Sequence, residues 1–184
     1  MKDVYIVLTA TGTLFSKCIG LYTKERYSHV SICIDKEINE FYSFGRKIIW
    51  FPFIGGFVVE HVDSGLFKLF VNTRCAVFKL RISNDKYREL RKNIDYFIQN
   101  RKKYGYNLIG LVGVMFNKPL KRKNKYFCTQ FVALTLKNSG INIFDKDPSL
   151  VTAGDFYNIE CLELVYEGLL SELGNSEASR AITV

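Results

Sequence analysis

The chain is poor in several residue types and patterns, and each shortage narrows what it can be. It holds three prolines, two histidines and one tryptophan in 184 residues. Its longest uncharged apolar run lies within Asn107–Asn117, about half of what a bilayer span requires, so no transmembrane helix is expected. The five cysteines, at positions 18, 33, 75, 128 and 161, are odd in number and widely spaced, with no Cys-x-x-Cys pair. That pattern argues against a disulfide framework, and with only His29 and His61 beside it, against a structural zinc site. The glycines at 55–56 and 110–113 are followed by no Lys-Ser/Thr, which excludes a phosphate loop. The opening MKDVYIVLTATG carries β-branched residues and no small-residue cleavage site, so it reads as a first strand rather than a signal peptide. A reducing, cytoplasmic location is expected.

What is present suits a core-forming domain. Hydrophobic residues make up 48% and charged residues 24%, which excludes disorder and low-complexity repeats. No linker divides the sequence, so one domain over residues 1–173 with a polar, flexible tail over 174–184 is expected. The net charge of +8 permits an anionic partner, including peripheral contact with an anionic surface, without selecting one.

Local patterning predicts a buried strand at Val4–Ala10, a helix at Thr13–Thr23 and a hairpin whose strands are His29–Asp35 and Glu40–Gly45. Pro52–Phe70, with its Gly55-Gly56 pair, reads as an irregular flap, and Thr73–Ile82 as a further strand. Ser83 or Asn84 can cap an amphipathic helix reaching about Lys103, with Leu90, Ile94 and Phe97 inward. Tyr104–Asn117 is apolar on most sides and is expected to be a buried helix. A basic loop, Lys118–Lys125, precedes a helix over Phe127–Asn138 that stops at Ser139-Gly140. Thr152–Phe156 looks like a capped turn and Leu162–Tyr166 like a closing strand. Strands early and helices late favour an α+β class, with an antiparallel sheet packed against helices.

Two residues stand where chemistry is feasible. Cys128, in Tyr126-Phe127-Cys128-Thr129-Gln130-Phe131-Val132, falls in the first turn of its helix. There the helix dipole and unpaired amides favour a thiolate, and the same amides can stabilise an oxyanion. A buried, inert thiol is the alternative. His29 opens Ser28-His29-Val30-Ser31-Ile32-Cys33-Ile34 and alternates away from Val30, Ile32 and Ile34, so its ring can face a groove or stand half-exposed on the strand. A neutral imidazole beside Cys128 would take the thiol proton and return it to a leaving group. His61, within the expected flap, reads as a surface residue.

A histidine in Ser-His-Val-Ser-Ile at a strand start, followed about a hundred residues later by Phe-Cys-Thr-Gln-Phe-Val at a helix start, resembles the circularly permuted NlpC-type (YiiX-like) cysteine peptidases. These belong to the papain-like superfamily, which also contains the lecithin retinol acyltransferase-like proteins. Thr11-Gly12-Thr13, Ser16-Lys17, Tyr42-Ser43-Phe44-Gly45-Arg46, Leu150-Val151-Thr152 and Asp155-Phe156 extend the resemblance over about residues 4–168. It implies a permuted papain-like fold, Cys128 as nucleophile, His29 as general base and no metal or organic cofactor. It places the imidazole-orienting residue on the strand after the histidine, close to Ser43, with Glu40 as the other candidate.

The resemblance implies a peptidase or amidase acting on a peptide or cell-wall-derived amide through a thioester. Acyl transfer on lipid and a non-catalytic ligand-binding module are the alternatives. Lys125 and Tyr126, next to the nucleophile, are candidate substrate contacts. The basic segment Lys118–Lys125 reads either as a solvated loop or as an attractor for an anionic substrate. It lacks the interleaved aromatics of a nucleic-acid site, so no nucleic-acid partner is expected.

Overall fold

The computed structural model describes residues 1–12, 25–47 and 54–175. The helix expected at Thr13–Thr23, with Cys18 and Ser16-Lys17, lies outside the described residues, as does the tail from residue 176.

A six-stranded sheet carries the architecture. In chain order its strands are β1 (Lys2–Ala10), β2 (His29–Cys33), β3 (Glu40–Arg46), β4 (Gly55–His61), β5 (Arg74–Ile82) and β8 (Glu163–Leu169). They lie in the order β4-β3-β2-β1-β5-β8 and every neighbouring pair is antiparallel. A two-stranded parallel pair, β6 (Gly105–Tyr106) and β7 (Lys125–Tyr126), forms a second, smaller sheet packed against β4. Among the described residues the α-helices are α1 (Gly65–Leu69), α2 (Asn84–Gln99), α3 (Leu108–Met115), α4 (Cys128–Asn138) and α5 (Ala153–Tyr157).

The central strand β1 shows why the sheet is covered on both faces. Val4, Ile6 and Leu8 point into a core that holds Leu90, Ile94 and Phe97 of α2 and Phe131, Val132 and Leu136 of α4. Tyr5 and Val7 alternate to the opposite face, where Cys33, Phe41, Cys75 and Val77 meet Phe67 of α1 and Leu170 and Leu173. Burying each large apolar side chain contributes roughly 1.5–3 kcal/mol, so two apolar faces must both be roofed. On the helical side an aromatic cluster locks the layers: Phe97 lies 4.7 Å from Tyr104 and 5.0 Å from Phe131, and Phe44 lies 5.2 Å from Phe131.

Caps agree with the sequence. Ser83 accepts from the Lys86 amide at the start of α2, and Thr152 and Asp155 form a reciprocal capping box on α5. Gly140, with φ +73°, follows α4 as expected.

Two expectations are corrected. The supposed flap contains a strand, β4, fully paired with β3, and the helix α1. The glycines that suggested irregularity serve close packing instead: a Cβ on Gly55 would come within 2.7 Å of the Gly45 carbonyl and 2.9 Å of Tyr106 Cβ. The apolar segment 104–117 is neither wholly helical nor buried. Its first part is β6, its helix is only Leu108–Met115, and Phe116 is 69% exposed.

Candidate functional site

Local packing places Cys128 at the first residue of α4. Tyr126, two residues earlier, pairs with Tyr106 of β6, and the Asn107 amide donates to its carbonyl at 3.0 Å. Asn107 itself is buried, accepting from the Gly110 amide at 3.1 Å and donating to the Leu120 carbonyl at 3.0 Å. On the other side, Thr129 Oγ1 donates to the Val151 carbonyl at 2.5 Å. Phe127, the N-cap, supplies no capping side chain to the first-turn amides. The helix start is thus fixed from two directions, with no side-chain cap over its positive end.

His29 is the first residue of β2, and Cys128 lies near enough to its ring to raise its pKa. The ring's other partner is Glu60 of β4, whose Oε2 lies 3.0 Å from Nε2. Ser31 Oγ also donates to Glu60 Oε2, at 3.0 Å. Strand β3 separates β2 from β4, but it is narrow there. The Ile32–Tyr42 pairing, continued along the hairpin, sets Gly45 opposite His29. A Cβ on Gly45 would stand 3.6 Å from His29 Cε1 and 3.8 Å from Glu60 Oε1. A missing side chain at Gly45 therefore leaves a lane for the carboxylate to cross the strand.

Neither residue expected to orient the imidazole does so. Ser43 is fully buried and donates to the Val30 carbonyl at 2.7 Å, spending its hydroxyl on the hairpin backbone. Glu40 accepts from the hydroxyl of Tyr42, at the end of β3 remote from Gly45. Tyr126, expected to contact substrate, packs 5.3 Å from Phe44 and 5.8 Å from Phe97 within the aromatic cluster. Lys125 lays its side chain along Gly105.

The charges are strongly coupled. Burial alone would lower the His29 pKa, but the Glu60 carboxylate and then Cys128 outweigh it and raise it to about 10. Burial alone would raise Glu60, yet the His29 charge, the His29 and Ser31 hydrogen bonds and Arg46 hold it below the ordinary carboxylate value. Tyr106 is raised well above an ordinary phenol, by burial first and then by the nearby Cys128 charge, with Arg46 opposing. Arg46 itself is lowered by burial, with Tyr106 and Glu60 opposing.

No family model matches the chain, and no curated protein matches it. Among the described residues no three His, Cys, Asp or Glu side chains gather as a metal site.

Sequence reasoning singled out Cys128 and His29 but not Glu60, the carboxylate that the structure sets against His29. A signal for Glu60 existed: in Phe57-Val58-Val59-Glu60 a lone carboxylate interrupts a β-branched strand. The neighbouring glycines masked it by suggesting a flap. Cysteines elsewhere divide: their apolar surroundings suggest buried thiols at Cys33, Cys75 and Cys161, and the first two are buried, but Cys161 is exposed. His61 is exposed at the end of β4, as expected of a surface residue.

Proposed function

We propose that the chain is a cysteine hydrolase of permuted papain-like type, cleaving an amide bond in a peptide or cell-wall-derived substrate. The observation that carries this reading is the Glu60–His29 pair with Cys128 near enough to raise the imidazole's pKa, the three residues coming from elements far apart in sequence. Carboxylate, imidazole and thiol in that order are what a thiol nucleophile needs: a base beside it and a third group holding the base.

In the proposed cycle the proton rests on His29 and Cys128 attacks as thiolate. The sulfur forms a bond to the amide carbon and the carbonyl oxygen takes the negative charge. The α4 first-turn amides, which no side chain caps, are the donors available to that oxyanion. Collapse breaks the C–N bond, and the His29 proton leaves with the amine. Water, losing its proton to His29, then attacks the thioester and frees the acid and the thiolate. Glu60 keeps Nε2 engaged, so the other ring nitrogen is left for Cys128, and it stabilises the imidazolium throughout.

The test is turnover of a panel of short wall-type peptides together with intact mass after a rapid quench. A transient acyl adduct on Cys128, lost in Cys128→Ser, supports the reading. An unmodified protein and no hydrolysis across the panel, with Cys128 no more reactive than Cys161, would favour a ligand-binding module.

A further inference from the structure

Helix α3 is packed inside out. Its inward side is made by Gly110 and Gly113, both buried. A Cβ on Gly110 would come within 2.9 Å of the Phe127 ring and would also strike the Asn107 amide. One on Gly113 would meet Leu120 at 3.0 Å and the Lys118 carbonyl. Leu108, Leu111 and Val114 are half-buried, and the other large apolar residues point outward: Ile109 is 50% exposed, Val112 45%, Met115 40% and Phe116 69%. Their spacing of three, three and one puts them on one side of the helix and its C-cap. Leu120, in the loop that follows, adds to the same exposed apolar set. A helix hydrophobic on its solvent side is unfavourable in water unless something covers it.

Charge indicates what covers it. Between Arg101 and Phe144 lie nine of the chain's 26 Lys and Arg and none of its 18 Asp and Glu. The rest of the chain is nearly neutral, so this segment accounts for the net charge of +8. Lys118, Lys121, Arg122 and Lys123 are exposed directly after the apolar helix. Of these, Lys121 pairs with Asp147 at 2.6 Å. Asn117 and Asn124, both at positive φ, turn the chain at the two ends of this loop.

We propose that α3 and the basic loop Lys118–Lys125 form a docking surface for an anionic lipid bilayer. Apolar side chains would enter the headgroup boundary while the flanking lysine and arginine heads meet lipid phosphates, the arrangement of an interfacial helix. A second copy of the chain is a poor occupant, because a symmetric contact would bring like charges together. No helix among the described residues is long and apolar enough to cross a membrane, so the attachment is peripheral. This proposal stands on α3 and its loop alone and does not depend on Cys128 chemistry.

The test is flotation of the full chain with vesicles of phosphatidylcholine alone and of phosphatidylcholine mixed with phosphatidylglycerol. The expected result is binding to the mixed vesicles, weakened by salt, and little binding to the neutral ones. Val112→Asp/Phe116→Asp should weaken binding at least tenfold. Arg122→Ala/Lys123→Ala should weaken it by roughly fivefold per charge removed. Thermal midpoints should stay near the parent's, since the changed side chains are exposed. If the double aspartate variant loses its thermal transition, Phe116→Ser alone gives the same reading. Failure of the parent to float with anionic vesicles overturns the proposal, as does undiminished binding by the apolar variants. A dimer in sedimentation equilibrium that those variants dissolve, without vesicle binding, would assign the face to a second copy.

Discussion

Glu60 reaches His29 across an intervening strand: its Oε2 lies 3.0 Å from Nε2, although one residue is on β4 and the other on β2. The crossing works because β3 offers Gly45 opposite the imidazole. A carboxylate so placed both fixes the ring and favours its charged form.

If Glu60 orients the imidazole, Glu60→Gln should lower kcat by about 10²–10⁴-fold while KM changes little. Ser43→Ala should leave kcat near the parent value and instead cost about 1–3 kcal/mol in stability, because the Val30 carbonyl loses its buried donor. Steady-state kinetics and denaturant titration of the two variants decide between Glu60 and Ser43. The opposite pattern would restore Ser43 as the orienting residue.

Gly45→Ala should be tolerated, since its Cβ would sit at ordinary contact distances of 3.6 Å from His29 Cε1 and 3.8 Å from Glu60 Oε1. Gly45→Val extends into the lane and should separate the pair, lowering kcat about a hundredfold. Equal activity of the two variants would show that the lane is not needed.

The His29–Glu60 pair should give stability a defined pH dependence. His29 rises from 6.5 unfolded to about 10 folded, so its contribution is complete below about 6.5 and is lost as pH climbs toward 10. Glu60 is lowered from 4.5, so its contribution is present above that value and is lost on acidification through its lower folded value. The thermal midpoint should therefore decline between about pH 7 and 10. Glu60→Gln should flatten the decline more than Cys128→Ser, the carboxylate being the larger raising cause. A parent profile flat across that range would refute the coupling.

Thiol labelling should separate the cysteines by environment. Burial pushes Cys33 and Cys75 up to about 12, so both should resist iodoacetamide until the chain unfolds. Cys161 is exposed and should label in the folded protein. If Cys128 is a nucleophile, its labelling should slow sharply in His29→Ala, while that of Cys161 stays unchanged. Peptide mapping by mass spectrometry reads all of these.

Cys128→Ser should keep the thermal transition, because serine is well accepted at a helix start, and should reduce turnover at least about a thousandfold. A large fall in the midpoint would instead mark Cys128 as a packing residue.

The sequence by itself determined the elements whose signals are local. Short runs rich in β-branched and aromatic residues defined β1, β2, β3 and β5. Ser83 and the Thr152–Asp155 box marked helix starts, and the position of Cys128 at the head of an apolar helix singled out the thiol. His29 was legible for the same reason, as the polar start of an alternating strand. Only tertiary structure decided the rest. Glu60 lies 31 residues from His29, and nothing local indicates that β4 joins β3 or that Gly45 leaves the carboxylate room to cross. The outward turn of α3 was equally hidden, because periodicity finds an apolar helix but cannot say whether its large residues or its glycines face the protein. That choice rested on Phe127, Asn107 and Leu120, whose close approach only Gly110 and Gly113 could accept.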